Sequence, residues 1–449
     1  MPKLTQYFLL IISLIGYILI GYAIERSNFL QLITVYTLLF SIAYLLQTNK
    51  NPLSFNLLLS SGILFRFCLI FSLPTLSDDF YRFVWDGRLQ GLGFNPFDFT
   101  PSQLVDQLTD PLLLQIYPYL NSPNYFSVYP QFCQFIFRLA SGIGADRLYE
   151  TVIILKLTIL LSELGTILLL KSLLPKKNNT QSLQLIYVLN PLVIIELTGN
   201  IHFEAYMIFF TLLAVWLINK QNYFSSAAAL SMAIHTKLIP LIFIPLITKK
   251  IGFKRTVTYL IACLALVLVL SMSLLNNTDR LFHFFESLRL YYGKFEFNGS
   301  FYLFFRFIGQ LILNYNPIAI LSKIMLALAL AGMLRIYFKT FDLLTGIFWL
   351  LTIYLVFSTV VHPWYLTPLV ALSSFTRFRF AILWSALIPV SYFSYSNTPS
   401  SENYLLISFE YLMVIGFLIW ELKSTDQHER LTRWFKIIPR RTLAEHQNS

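Results

Sequence analysis

Charge is what this sequence has least of. Only 12% of its 449 residues are Asp, Glu, Lys or Arg, about half the share of a soluble globular chain. That shortage excludes a soluble enzyme on a single tether, a disordered chain and, despite a formal net charge of +11, a nucleic-acid binder. Cysteine is nearly missing as well. Cys68, Cys133 and Cys263 form no CxxC pair, so neither disulfides nor zinc organise the fold. There is no GxxxxGK[ST] loop and no GxGxxG fingerprint, so no nucleotide site is visible. Internal repeats and low-complexity stretches are absent too.

What is present is apolar: 56% of residues are hydrophobic and 17% aromatic, and the mean hydropathy is positive, +0.64. Apolar runs recur along the whole chain, at 4–24, 29–46, 53–73, 151–170, 183–199, 205–219, 223–248, 256–275, 317–338, 343–361, 364–376, 380–395 and 404–422. At roughly 20 residues per crossing they predict an all-α polytopic transmembrane bundle of about 12–14 spans. The first run has no small-residue cleavage site and reads as a retained span. The run 223–248 carries Lys237 and Pro240 in its middle and basic residues at both ends, which reads as a tight hairpin of two short helices.

Basic residues choose the side. With both termini on one face, that face collects about 20 of the 33 Lys and Arg, among them Lys50, Lys176, Lys177, Lys249, Lys250 and the tail from Lys423 to Arg441. The opposite face holds Arg26, Arg280, Arg289, Lys294 and most of the acids. Both ends are therefore expected in the cytoplasm, with the basic tail 423–449 on anionic lipid headgroups. Residues 1–422 read as one transmembrane module. Its first external loop, 74–150, is too long for a plain connector and is expected to hold helices lying in the membrane interface, as at 131–140. A second external segment covers 276–316.

The third run ends in SDDFYRFVWDGRLQGLGFNPF. After Ser77, a good N-cap, a helix puts Asp78, Arg82 and Asp86 on one face. The bland reading is a capped interfacial helix with a salt ladder and an aromatic belt. Against it, like charge and partial desolvation raise the proton affinity of two adjacent carboxylates, Asp78 and Asp79, and that makes a usable base. Other ionisable groups beside apolar runs point to the same face: Glu196, His202 and Glu204 in one turn, Lys237 at the hairpin tip, His362 with Trp364 and Tyr365 in another. Such groups at membrane depth are costly and are paired or functional.

SDDFYRFVWDGRLQGLGFNPF, YPQFCQFIF, NPLVIIELTGNIHFEA, HTKLIPLIFIPL and HPWYLTPL together resemble the GT-C membrane glycosyltransferases. The similarity is greatest to bacterial polyprenyl-phosphate-mannose-dependent mannosyltransferases and the related enzyme of GPI-anchor synthesis, in consistent order over residues 50 to 375. One departure stands out: two spans precede the span that carries the acids, whereas the simplest members place the acids after their first. The resemblance implies inverting transfer of a hexose, mannose above all, from a polyprenyl-phosphate donor to a glycan or glycolipid hydroxyl on the extracytoplasmic face of a bacterial inner membrane. It implies Asp78 as base, with Asp79 as second candidate or tuning partner. Lys237, His362, Arg82 and Arg289 are then candidates for the donor phosphate. Trp85, Arg88, Tyr129, His202, Glu204, Asn298, Trp364 and Tyr365 are candidates for substrate contact, with Asn298 closing a loop over the site. No cofactor is expected, although Asp78, Asp79 and His202 would suit a divalent metal if brought together. The rival of another class is a transporter or flippase of lipid-linked glycans, which would show repeated halves; a second rival is a surface-glycan polymerase or ligase.

Overall fold

A computed structural model describes residues 1–49, 51–175, 180–339, 342–396 and 401–437. Lys50, Lys176 and Lys177, the side chains of 290–294 and those of the basic tail beyond Ser424 lie outside the described residues. The described chain is helical nearly throughout, with a single isolated bridge between Phe297 and Val360. Six helices are long and apolar enough to cross a bilayer: Lys3–Tyr22 (α1), Phe29–Thr48 (α2), Leu148–Leu173, Phe253–Leu270, Ile318–Phe338 and Tyr404–Ser424. In hydrocarbon only internal hydrogen bonds satisfy the backbone, which is why such segments fold as helices. The protein is an integral membrane helical bundle.

The other apolar runs do not make full-length helices. Thr180–Val188 and Pro191–Gly199 are bent by 44°, with the Asn190 side chain accepting from the Val193 N–H and Pro191 in the first turn after the break. Five further apolar helices are 10–17 residues long, among them Phe55–Cys68 (α3) and Glu204–Asn219. Seven crossings, with the bent pair counted as one, are thus long enough by themselves; the remainder of the expected 12–14 would have to be built from these shorter pieces. Proline accounts for part of the fragmentation: Pro240, Pro363, Pro368 and Pro389 each occupy a first turn, where the missing N–H is tolerated while the helix before it must stop.

Buried polar contacts fix α3 to the helix Leu148–Leu173. Arg66 and Glu163 pair at 2.7 Å, both fully buried, and the Lys156 ammonium donates to the Leu69 carbonyl and Ser72 hydroxyl at 2.8 and 2.9 Å. The α1–α2 hairpin docks on the same body. At one end Gln6 bridges the Asn51 carbonyl and the Leu53 N–H. Midway, the Tyr36 hydroxyl donates to the Ser385 carbonyl at 2.5 Å. Near the other end, Thr75 donates to the Ile20 carbonyl at 3.0 Å.

The segment 74–150 folds over the bundle end. Asp79–Gly91 (α4) packs on Gln131–Ile143, and Gly87 lies so close that an added Cβ would stand 2.3 Å from the Phe137 carbonyl oxygen. Phe135, Leu139 and Ile143 are exposed on the second helix while Ile136, Phe137 and Ala140 are buried, the two-faced pattern of an interfacial helix. Arg82 pairs with Asp86 at 2.8 Å and donates to the Ser122 and Tyr125 carbonyls. Asp86 in turn accepts from Ser127 and Gln134 at 2.6 and 2.8 Å. This buried network ties the loop 122–127 and the start of the helix Gln131–Ile143 to α4. The second segment docks on the first through Arg280–Asp98 at 2.6 Å and His283 stacked on Phe126 at 3.8 Å.

Candidate active site

α3 ends at Cys68, and the chain then runs extended and turning to Asp79. Two side chains hold this approach. The Leu76 N–H donates to the Asn200 side chain at 3.1 Å, and the Asp79 N–H to the Ser77 hydroxyl at 3.3 Å. Asp78 rather than Ser77 stands at the N-cap position of α4, without a side-chain cap bond, and Asp79 opens its first turn. Both line a cavity of about 590 Å³, a size typical of small-molecule sites.

The two carboxylates differ in company. Asp78 forms an ion pair with Arg26 of the α1–α2 turn, not with Arg82. Asp79 has no ion-pair partner among the described residues; it accepts from Asn121 at 2.7 Å and is hydrogen-bonded by Tyr129. Loss of water pushes the Asp79 carboxyl above the usual range. The Asn121 bond, Lys237 and Tyr129 pull it down, and the charge of Asp78 pushes it up.

Across the cavity the helix Tyr223–Thr236 stops and Lys237 is extended, at φ −151° and ψ 144°. Its ammonium pairs with the buried Glu204 and lies 4.1 Å from the centre of the Tyr365 ring. Beside it four rings stack in order: Phe297 on His362 at 4.6 Å, His362 on Trp364 at 4.4 Å, Trp364 on His202 at 3.8 Å. His202 Nε2 stands 3.5 Å from Glu196, whose other oxygen accepts from the Tyr392 hydroxyl. Ile201, just before His202, has φ +60°, costly for a β-branched residue, so the surrounding packing holds this turn in a strained conformation.

The structure therefore brings Asp78, Asp79, Arg82, Tyr129, His202, Glu204, Lys237, His362, Trp364 and Tyr365 to the lining of one cavity. It separates the other candidates from it. Trp85 is buried against Tyr117. Arg88 is held by Asp110 and Asp146. Arg289 is exposed outside the cavity lining. Asn298 is fully buried: its N–H donates to Glu402, its amide to Glu410, and its carbonyl accepts from Tyr411. It anchors the strap that carries Phe297 instead of closing over the site.

Two wall residues have contacts that narrow their roles. Both faces of Trp364 are covered by histidines, so it offers an edge rather than a stacking face. Arg82 spends its guanidinium on Asp86 and two carbonyls. Among the described residues, no three His, Cys, Asp or Glu side chains gather as a metal-ligand set. Sequence reading missed Arg26, Asn121, Phe297 and Tyr395, all of which line the cavity. For Arg26 the one available signal was a basic residue in a short turn on the acid-rich face.

A known family covers much of this geometry. The MptA_B family model, described as alpha-(1->6)-mannopyranosyltransferase, N-terminal domain, matches residues 13–251, more than half of the chain. The chain belongs to that mannosyltransferase family. No curated protein and no solved structure matches it. Mannosyltransferase chemistry is thus the frame for the cavity. The family stretch supplies Arg26, Asp78, Asp79, His202, Glu204 and Lys237, and the remainder of the chain supplies Phe297, His362, Tyr365 and Tyr395 to the same cavity.

Proposed function

We propose that this mannosyltransferase moves a mannosyl group from a polyprenyl-phosphate donor to a hydroxyl of a glycan or glycolipid acceptor, with inversion. The observation that carries the reading is an adjacent carboxylate pair facing Lys237 across one cavity at the ends of the helices. A carboxylate takes the acceptor proton as its oxygen attacks the anomeric carbon. The bond from that carbon to the phosphate oxygen breaks, and its electron pair leaves with the polyprenyl phosphate. Lys237 is suited to the charge that gathers there, with His362 beside it.

Sequence order favours Asp78 as base. Its pairing with Arg26 supports Asp79 for that role, with Asp78 as charged neighbour. His202, Glu204, Tyr129 and Tyr365 are the candidates for contact with sugar hydroxyls. The exposed Phe and Leu faces of the bundle suit a polyprenyl chain, and the balance of basic residues favours a site on the extracytoplasmic face of an inner membrane. In this reading residues 1–422 act as one module, because both sides of the family boundary line the cavity.

The test is transfer from synthetic polyprenyl-phosphate mannose by purified protein in detergent micelles, where translocation has no meaning. Wild type is expected to give glycosidic product and Asp79→Asn to lose about 10²–10⁴-fold in rate, with a smaller loss for Asp78→Asn. Wild-type rates in both variants would remove the base assignment. No product from any donor in a panel would turn the reading towards a flippase.

A further inference from the structure

We propose that Arg26, carried at the tip of the α1–α2 hairpin, is a positioning residue that sets the charge balance of the aspartate pair, and that delivering it is what the first two helices do for the site. This inference rests on the functional reading above. Two helices precede the one that leads to the acids, and the hairpin they form is bonded to the body near both of its ends. Its turn projects one guanidinium into the cavity wall. That group pairs with Asp78 and lies 4.6 Å over the ring of Tyr395, an aromatic residue from nearly the other end of the chain. It is gripped from two sides by residues of different elements.

Adjacent aspartates cannot both ionise freely, since each charge raises the proton affinity of the other. Arg26 answers one of the two. It spends the charge of Asp78 in an ion pair and leaves Asp79 to Asn121 and Tyr129. The other ionisable groups facing the pair are Lys237 and Glu204 across the cavity, Tyr395 behind Arg26, and Tyr81 on α4. Glu25 shares the Arg26 turn, and Glu296, His202 and His362 line the same cavity. None of these except Arg26 contacts Asp78 as an ion pair. Without Arg26 the charge of Asp78 acts unanswered on Asp79, which then holds its proton up to a higher pH.

The experiment measures kcat/KM for mannosyl transfer against pH in wild type, Arg26→Lys and Arg26→Gln. In parallel, an infrared titration of the protonated-carboxyl band of purified protein is taken, with Asp79→Asn as the difference control. The acid limb and the infrared midpoint are both expected to rise by about one pH unit or more in Arg26→Gln. Arg26→Lys should fall between, because it keeps the charge but loses the flat guanidinium that Tyr395 holds beside Asp78. The double variant Arg26→Gln/Asp78→Asn should return the infrared midpoint to or below wild type. A lower rate with an unmoved limb and midpoint would overturn the inference and leave Arg26 a structural residue. If the glutamine variant does not fold, the lysine variant decides alone, and a wild-type midpoint in it overturns the inference. A shifted midpoint in a protein with no transfer activity keeps the inference and sinks the mannosyl-transfer reading. Transfer with no shift does the reverse.

Discussion

At the scale of single residues the site is a matter of which charge faces which. Glu204 is buried and Lys237 reaches it from a break between helices, so the ammonium is held at a fixed point over Tyr365. Lys237 also lowers the proton affinity of Asp79. With Asp79 as the proposed base, which must be ionised to act, and with burial lifting its titration, the acid limb of activity is expected above that of an ordinary carboxylate. Removing the ammonium lifts it further. Lys237→Gln is therefore expected to move the acid limb of kcat/KM to higher pH, and to cost about 10²–10³-fold at the plateau if the ammonium meets the departing phosphate. A pH–rate series with the donor saturating and then limiting separates the two effects. A plateau loss with the limb in place would detach Lys237 from Asp79.

The residues that were legible in sequence share one property: they are ionisable or aromatic groups with apolar neighbours, so Asp78, Asp79, Glu204 and Lys237 stand out. Those that lie outside the cavity lining do so through geometry the motif does not display. Trp85 and Arg88 sit in the same string as Asp79, but six and nine residues further along a helix of 3.6 residues per turn. That rotation carries them to the far side of α4, where Arg88 meets Asp110 and Asp146. Asn298 looks like a loop residue beside a Gly; its left-handed backbone, φ +49°, and its buried partners mark an anchor. Arg26 and Tyr395 are separated by most of the chain, and only tertiary packing brings them together.

At the scale of elements, α4 and Gln131–Ile143 form the roof that fixes the acids. Their close approach is made at Gly87, where any side chain would meet backbone rather than a movable group. Phe83 adds a parallel contact, its ring 4.7 Å from that of Phe137. Gly87→Ala is expected to part the two helices, lower the Tm in detergent by several degrees, and lower transfer more than binding because Asp79 shifts with α4. Gly416 is the control. It lies mid-helix with nothing within 4 Å of an added Cβ, and Gly416→Ala should leave the Tm unchanged or raise it slightly. Equal Tm for the two variants would mean that α4 tolerates separation and that the roof is held elsewhere, by the Arg82–Asp86 network.

At the scale of the whole molecule, the helical membrane class was plain from hydropathy, whereas the number of crossings was not. Hydropathy counts apolar residues, and proline-broken runs such as 223–248, 364–376 and 380–395 contribute as an unbroken helix does. Sidedness rests on a different quantity, the distribution of Lys and Arg, which favours the extracytoplasmic face for the proposed site. That face is where a lipid-borne sugar would be met, since nucleotide sugars are cytoplasmic. Leu92, at the end of α4 and exposed, reports the side directly. With Cys68, which is only partly buried, changed to Ser, a Leu92→Cys protein in intact cells is expected to react with an impermeant maleimide added from outside. Cys133 and Cys263 are buried and should stay silent. Labelling that begins only after the inner membrane is opened would put the aspartates and Lys237 in the cytoplasm, where a polyprenyl-phosphate sugar is no longer the donor that location demands.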